Sequence, residues 1–190
     1  MSTNPMVTCF RQSMQRISFP TMIITTSAFI DTPSANFHGL AVSSMTSLSV
    51  KPAPLLHFNI QIPSLSSKNL HNHDLFAVHQ LKPAPASVDL VKNFSRGIRH
   101  GGTKPFENLI ENTDYSIYKN AKYDSEQTVL PILKQVERVL ICKKRDIFTA
   151  ADHEIWVGEV VDCVVRDETN TGGLLHSNGK FFKLGQQILA

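Results

Sequence analysis

The chain has 190 residues, 42% of them hydrophobic, which suffices for one substantial core and makes two large domains unexpected, so residues 1–190 are read as a single domain. Its 19 basic and 16 acidic residues leave a scattered net charge of +3, too small an excess for a nucleic-acid face and equally suited to a small anionic ligand. Three cysteines, Cys9, Cys142 and Cys163, are widely spaced with no C-x-x-C pair, so neither a disulfide framework nor a zinc site is indicated and an intracellular, reducing compartment is expected.

No acidic residue precedes Asp31, while Arg11 and Arg16 sit among Ser, Thr and Gln. That bias suits either an organelle transit segment, hence a cytoplasmic or mitochondrial location, or an ordinary first helix that buries Phe10, Met14 and Ile17. "PTMIITTS" from Pro20 is rich in β-branched residues and reads as a strand, followed by a loop through Asp31, Pro33 and Asn36. A second strand starts near Phe37 and runs into "AVSSMTSLS", which "KPAP" ends because proline cannot donate to a central ladder. In "LLHFNIQI", Leu56, Phe58, Ile60 and Ile62 alternate with His57, Asn59 and Gln61, so one face enters the core.

"SLSSKNL" opens a short helix with Ser64 or Ser66 as N-cap, "LFAVHQL" is a strand, and "SVDLVKNF" is a helix. Residues 96–125 show no sustained period and are expected to form an insertion that is a lid, a partner-binding excursion or partly disordered, rather than part of the core. "QVERVLICKKRDI" and "HEIWVGEVVDCVV" are two long strands joined by "FTAAD", with Gly158 marking a bulge or a close backbone approach. "GGLLHSNGKFFKL" reads as turn, short strand and turn. Many strands and few helices predict a mainly β, antiparallel barrel with peripheral helices. No apolar run reaches the length of a membrane span, so no membrane insertion is expected.

Neither a P-loop nor a G-x-G-x-x-G turn is present. His71, His73, Asp74 and His79 lack a closing partner at metal-ligand spacing and read as a surface turn, so no metal site is expected. No G-x-S-x-G elbow occurs either. What remains is positional: "SSMTS" leaves one strand and "PSLSS" leaves the next, and strands adjacent in sequence are usually adjacent in space. Two hydroxyl clusters can therefore face each other across one end of a sheet, where they could serve as ordinary caps and turns or cradle a phosphate.

The ordered segments "FRQSM", "TMIITTS", "FHGLAVSSMTSLSVKPAPLLHFNIQIPSLSS", "LFAVHQL", "NFSRG", "DHEIWVGEVVD" and "GGLLHSNGKFF" resemble the flavin reductase-like family of FMN-binding split barrels across nearly the whole chain. The most specific pieces are the hydroxyl stretch ending in x-P-x-P and the D-H-x-I-x-x-G-E-V strand. This resemblance implies a homodimer of antiparallel split β-barrels that binds FMN, with FAD as the alternative, and takes hydride from NADH or NADPH. It implies that Ser43, Ser44, Thr46 and Ser47 line the flavin ring and ribityl chain, with Gln61, Ser64 and Ser66 nearer the phosphate. Lys92 and Phe94 stand where the family carries a basic residue and its neighbour. His153 is expected to be catalytic, on the nicotinamide side of the flavin.

Gln61 and His79 replace residues that are usually Asn in the family, and Trp156 replaces an aliphatic residue or Phe. Hydride passes between the two cofactors, so no protein nucleophile is needed. The alternatives are a non-catalytic flavin-binding or scaffold subunit, and a split-barrel oxidase acting on a phosphorylated small molecule.

Overall fold

Strict alternation in "LLHFNIQ" produces a strand whose Leu56, Phe58 and Ile60 are buried while Asn59 and Gln61 face outward. The computed structural model describes residues 4–95, 104–119, 128–169 and 171–188. In chain order these form α1 (Pro5–Met14), β1 (Phe19–Pro20), β2 (Met22–Thr26), β3 (Ala28–Phe29), β4 (Gly39–Val42), β5 (Thr46–Ser49) and β6 (Leu55–Gln61). There follow α2 (Leu65–His71), β7 (Leu75–Gln80), α3 (Pro85–Ser95), β8 (Tyr115–Tyr118), β9 (Thr128–Leu133), β10 (Arg138–Ala150), β11 (His153–Val165), β12 (Leu175–Ser177) and β13 (Lys180–Phe182).

Seven strands make one antiparallel sheet in the order β4-β2-β7-β10-β11-β6-β5, flanked by the small sheets β1-β12-β13 and β3-β9-β8. The order has a geometric consequence. β4 and β5 are at opposite edges, yet Val42 and Thr46 are separated by Ser43, Ser44 and Met45 alone, a link that reaches at most about 14 Å. A flat sheet of seven strands would hold its edges about 29 Å apart. The sheet therefore curls until its edges approach, although β4 and β5 do not pair. Ser44 Oγ stitches the curl by accepting the Asn59 N–H at 3.0 Å.

Neighbouring residues on the central strands enter different apolar clusters. Ile23, Ala77, Val139 and Ile141 pack with Phe94 of α3 on one face, whereas Ile24, Phe76, Val78 and Cys142 pack with Phe58 and Trp156 on the other. A β-carbon added at Gly158 would fall 2.5 Å from the Phe76 ring, so the expected close approach is real, and the β10–β11 register slips opposite it. The hairpin turn is tighter than "FTAAD" suggests, because β10 continues through Ala150 and the reversal falls at Ala151 and Asp152. Asn178 and Gly179, both at positive φ, close the β12–β13 hairpin.

Three expectations need correction. The hydroxyl stretch is not one strand, because the chain reverses at Ser43–Met45 between β4 and β5. α1 forms, but Phe10, Met14 and Ile17 are exposed, and no residue of the helix is buried in the single chain. In the 96–125 segment, the described part, residues 104–119, is anchored in the core rather than free to move as a lid: Phe106, Tyr115 and Tyr118 are buried, Phe106 meets Phe37, Phe94 and Tyr115 edge-on, and β8 pairs with β9. Residues 96–103 and 120–125 lie outside the described residues. No described helix is long and apolar enough to cross a membrane.

Candidate functional site

The curl leaves a cleft of about 700 Å³ between the approaching edges. One wall is Leu40, Ala41 and Val42 of β4, continued by Ser43, Ser44 and Thr46. The other is Asn59, Ile60 and Gln61 of β6, with Ser64 and Ser66 beyond it and Met14 and Phe19 contributing from the N-terminal side. The β6 backbone explains the second half of this set. It ends at Gln61 and passes through Pro63, and Ser64 then caps α2 by accepting the Ser67 N–H at 3.1 Å.

The lining combines apolar side chains with hydroxyls and carboxamides, and none of the residues that line it carries a formal charge. Ser44 is committed to the Asn59 backbone, Thr46 Oγ1 lies 2.7 Å from His57 Nε2, and Ser66 Oγ lies 3.0 Å from His38 Nε2. Burial lowers the His38 pKa to about 4, so its ring is neutral at neutral pH. With the proton on Nε2, His38 donates to Ser66 and leaves the serine O–H free for a ligand.

At the same end, His153 opens β11 directly opposite Gln61. Its Nδ1 lies 2.8 Å from Asp152 Oδ1, and Gln61 Nε2 donates to Asp152 Oδ2 at 3.4 Å. The bond from His153, helped by the Asp152 backbone and the positive charge that the ring can carry, holds the exposed Asp152 carboxyl below its ordinary range. One residue further, Glu154 is buried. Burial would raise its pKa, but bonds from His71, Ser67 and Trp156 outweigh that and keep it a carboxylate.

Residues 14–185 match the flavin reductase like domain. The chain belongs to that family. Solved structures share its fold, among them the flavin reductase domain protein from Arthrobacter sp. FB24, with 24% identity and a TM-score of 0.73 over 96% of this chain and 98% of the other. The NADH:FAD oxidoreductase SgcE6 of Streptomyces globisporus C-1027, solved with NAD and FAD fragments, aligns at 17% identity and a TM-score of 0.71 over 99% of each chain. The flavin reductase HpaC, solved with NADP+, aligns at 20% identity and a TM-score of 0.68, covering 94% of this chain and 97% of the other.

Within this flavin reductase like domain, the fold brings Ser43, Ser44, Thr46, Gln61, Ser64 and Ser66 into one cleft, with His153 beside Gln61. Ser47 is not part of the lining: it pairs with Leu56 on the exposed edge strand. Lys92 and Phe94 are elsewhere. Lys92 lines a separate groove with Phe181 and Lys183, and Phe94 is buried, its ring so close that a β-carbon at Gly39 would meet it at 2.5 Å. Helical spacing explains this, because Val91 and Phe94 share the buried face of α3 while Lys92 points away.

Sequence reasoning missed Asn59, which lines the cleft, and His38, whose only signal is its place just before β4. It also read His71 and His79 as belonging to a surface turn. His71 Nε2 donates to Glu154 at 2.9 Å, and His79 is wholly buried between the Ile23 carbonyl and the Leu133 N–H.

Proposed function

We propose that the cleft between β4 and β6 binds flavin, FMN or FAD, and that the domain works as an NAD(P)H:flavin oxidoreductase. The chemistry a bound flavin supplies is acceptance of hydride from NADH or NADPH. The observation that carries this reading is the donor set: a slot walled by Leu40, Val42 and Ile60 and edged by five hydroxyls and two carboxamides suits a flat apolar ring bearing a polyol and a phosphate. The curled sheet with unpaired edges is what a split barrel requires. The names of the fold relatives, with NADP+, NAD and FAD fragments in their structures, support the same cofactors.

The protein's part is binding and orientation. Ser43, Ser44 and Thr46 face the ring and ribityl side. Ser64 accepts the Ser67 N–H yet keeps its own O–H to donate, and with Ser66 it faces the phosphate. Asp152 holds the His153 ring, which neighbours the cleft through its pairing with Gln61, and its role in this reading is to orient nicotinamide. Ser47, Lys92 and Phe94 take no part in this arrangement. Among the described residues of the 96–125 segment, none lines the cleft, so residues 104–119 lend no support to the scaffold alternative. The exposed apolar face of α1, with Met6, Val7, Phe10 and Met14, is the surface a second copy would cover in a homodimer.

The test is flavin binding to Ser64→Ala/Ser66→Ala. Each charge-assisted bond to phosphate is worth about 1.5–3 kcal/mol, so FMN affinity should fall at least about tenfold while the protein stays folded. Ser66→Ala alone separates this from loss of the α2 cap, because Ser66 is not the capping residue. Unchanged FMN affinity in the folded double variant removes the phosphate assignment.

A further inference from the structure

Glu154 is a buried carboxylate that the hydride chemistry does not use. Its Oε2 accepts Ser67 Oγ–H at 2.8 Å and the Trp156 indole N–H at 2.9 Å, and its Oε1 accepts His71 Nε2–H at 2.9 Å. Ser67 is in the first turn of α2 and His71 is its last residue. One side chain from β11 therefore holds both ends of a helix that has only seven residues, too short to be stable by itself. Trp156 completes the anchor. It is fully buried, stacks on Phe58, and meets the His71 ring edge-on at 4.8 Å, so the carboxylate is braced from the sheet as well.

The clamp reaches the cleft through one residue, Ser67. Ser67 Oγ is held by Glu154, and the backbone N–H of the same residue is held by Ser64 Oγ. Ser64 and Ser66, which line the cleft, precede Ser67 in the same first turn. Any shift of Ser67 therefore moves both hydroxyls.

We infer that Glu154 is a positioning residue: by clamping α2 at Ser67 and His71 it sets the Ser64 and Ser66 hydroxyls for the phosphate of the flavin nucleotide. This rests on the flavin reading above. It makes a specific demand, because riboflavin carries the same ring and polyol without phosphate. A residue that sets the phosphate-facing turn discriminates between FMN and riboflavin, whereas one that merely supports the fold affects both alike.

The experiment measures FMN and riboflavin dissociation constants by flavin fluorescence for the full-length protein, E154Q and S67A, with folding checked by urea titration. Gln has the shape of Glu but cannot accept bonds from Ser67, His71 and Trp156 together. The parent should prefer FMN. E154Q should reduce that preference about tenfold or more with riboflavin affinity within about twofold of the parent, and S67A should reduce it less, since it leaves the His71 anchor. If E154Q does not fold, S67A carries the test by the same ratio.

A parent that prefers FMN while folded E154Q, or folded S67A in its place, keeps the full preference overturns the inference alone. Equal weakening of both ligands also overturns it, leaving Glu154 a support of the fold. A parent that binds FMN and riboflavin equally overturns the phosphate reading, and the inference with it.

Discussion

His79 makes a sharp prediction about stability and pH. Leu133 N–H donates to its Nε2 at 3.0 Å, so Nε2 is the unprotonated nitrogen and Nδ1–H donates to the Ile23 carbonyl at 2.9 Å. The ring is neutral, fully buried, and joins β2, β7 and the end of β9. Burial lowers its pKa from 6.5 to about 4, against the raising effect of the Ile23 bond. In the unfolded chain the ring takes up a proton near 6.5. Between 6.5 and 4 the unfolded state thus binds a proton that the folded state does not, and stability falls as pH falls. The loss is about 1.4 kcal/mol per pH unit and about 3 kcal/mol over the window.

His79→Asn keeps a donor toward Ile23 but leaves the Leu133 N–H without its acceptor, at a cost of about 1–3 kcal/mol at pH 7. The variant should therefore be less stable than the parent at pH 7, and the two stability curves should converge as pH falls towards 4. His38 titrates in the same window, and the lowered carboxyls of Asp152, Glu154 and Asp167 act below the ordinary carboxylate range; both proteins share these groups, so they cancel in the difference. Urea unfolding followed by Trp156, the one tryptophan and a buried one, at half-unit steps from pH 7.5 to 4.5 supplies the curves. Parallel curves would refute the reasoning, because they would mean that His79 is protonated alike in both states.

His153→Ala should slow reduction of bound flavin by NADH or NADPH about tenfold to a hundredfold while leaving flavin affinity intact; stopped-flow reduction as fast as in the parent ends its assignment. Phe106→Ala should cost about 3–5 kcal/mol, since the ring is 1% exposed amid Phe37, Phe94 and Tyr115, and an unchanged urea midpoint would restore the lid reading of this segment. Light scattering should give twice the chain mass for the parent and a lower mass for Phe10→Asp, which places a charge on the exposed face of α1; a monomeric parent that still binds flavin contradicts the homodimer.

Features with a local cause were legible in the sequence. The period-2 run Leu55 to Gln61 and the capping serine at Ser64 each depend on neighbours a few residues away. The reversal at Ser43–Met45 was hidden because it contains none of the Gly, Asn or Asp that mark tight turns; the curl of the sheet imposes it. Phe106, Tyr115 and Tyr118 looked like a decorated excursion because cluster partners such as Ile23 and Phe37 are far away in sequence. Of the candidate site, the two serine clusters were readable from consecutive strand ends. Glu154 was not, since a single acid in an alternating strand carries no sign that a helix more than eighty residues earlier will donate to it.

The Ser43–Met45 link fixes more than a strand order. Because it joins opposite margins of one sheet, the aperture of the cleft is set by covalent chain length, with the Ser44 bonds to Asn59 acting only as a clasp. Heating or denaturant can open the clasp, but the margins remain leashed within the link's span. Inserting glycines there would loosen the leash and widen the slot, and moving the chain termini to this point would sever it. The width of the cleft is thereby written into the primary structure.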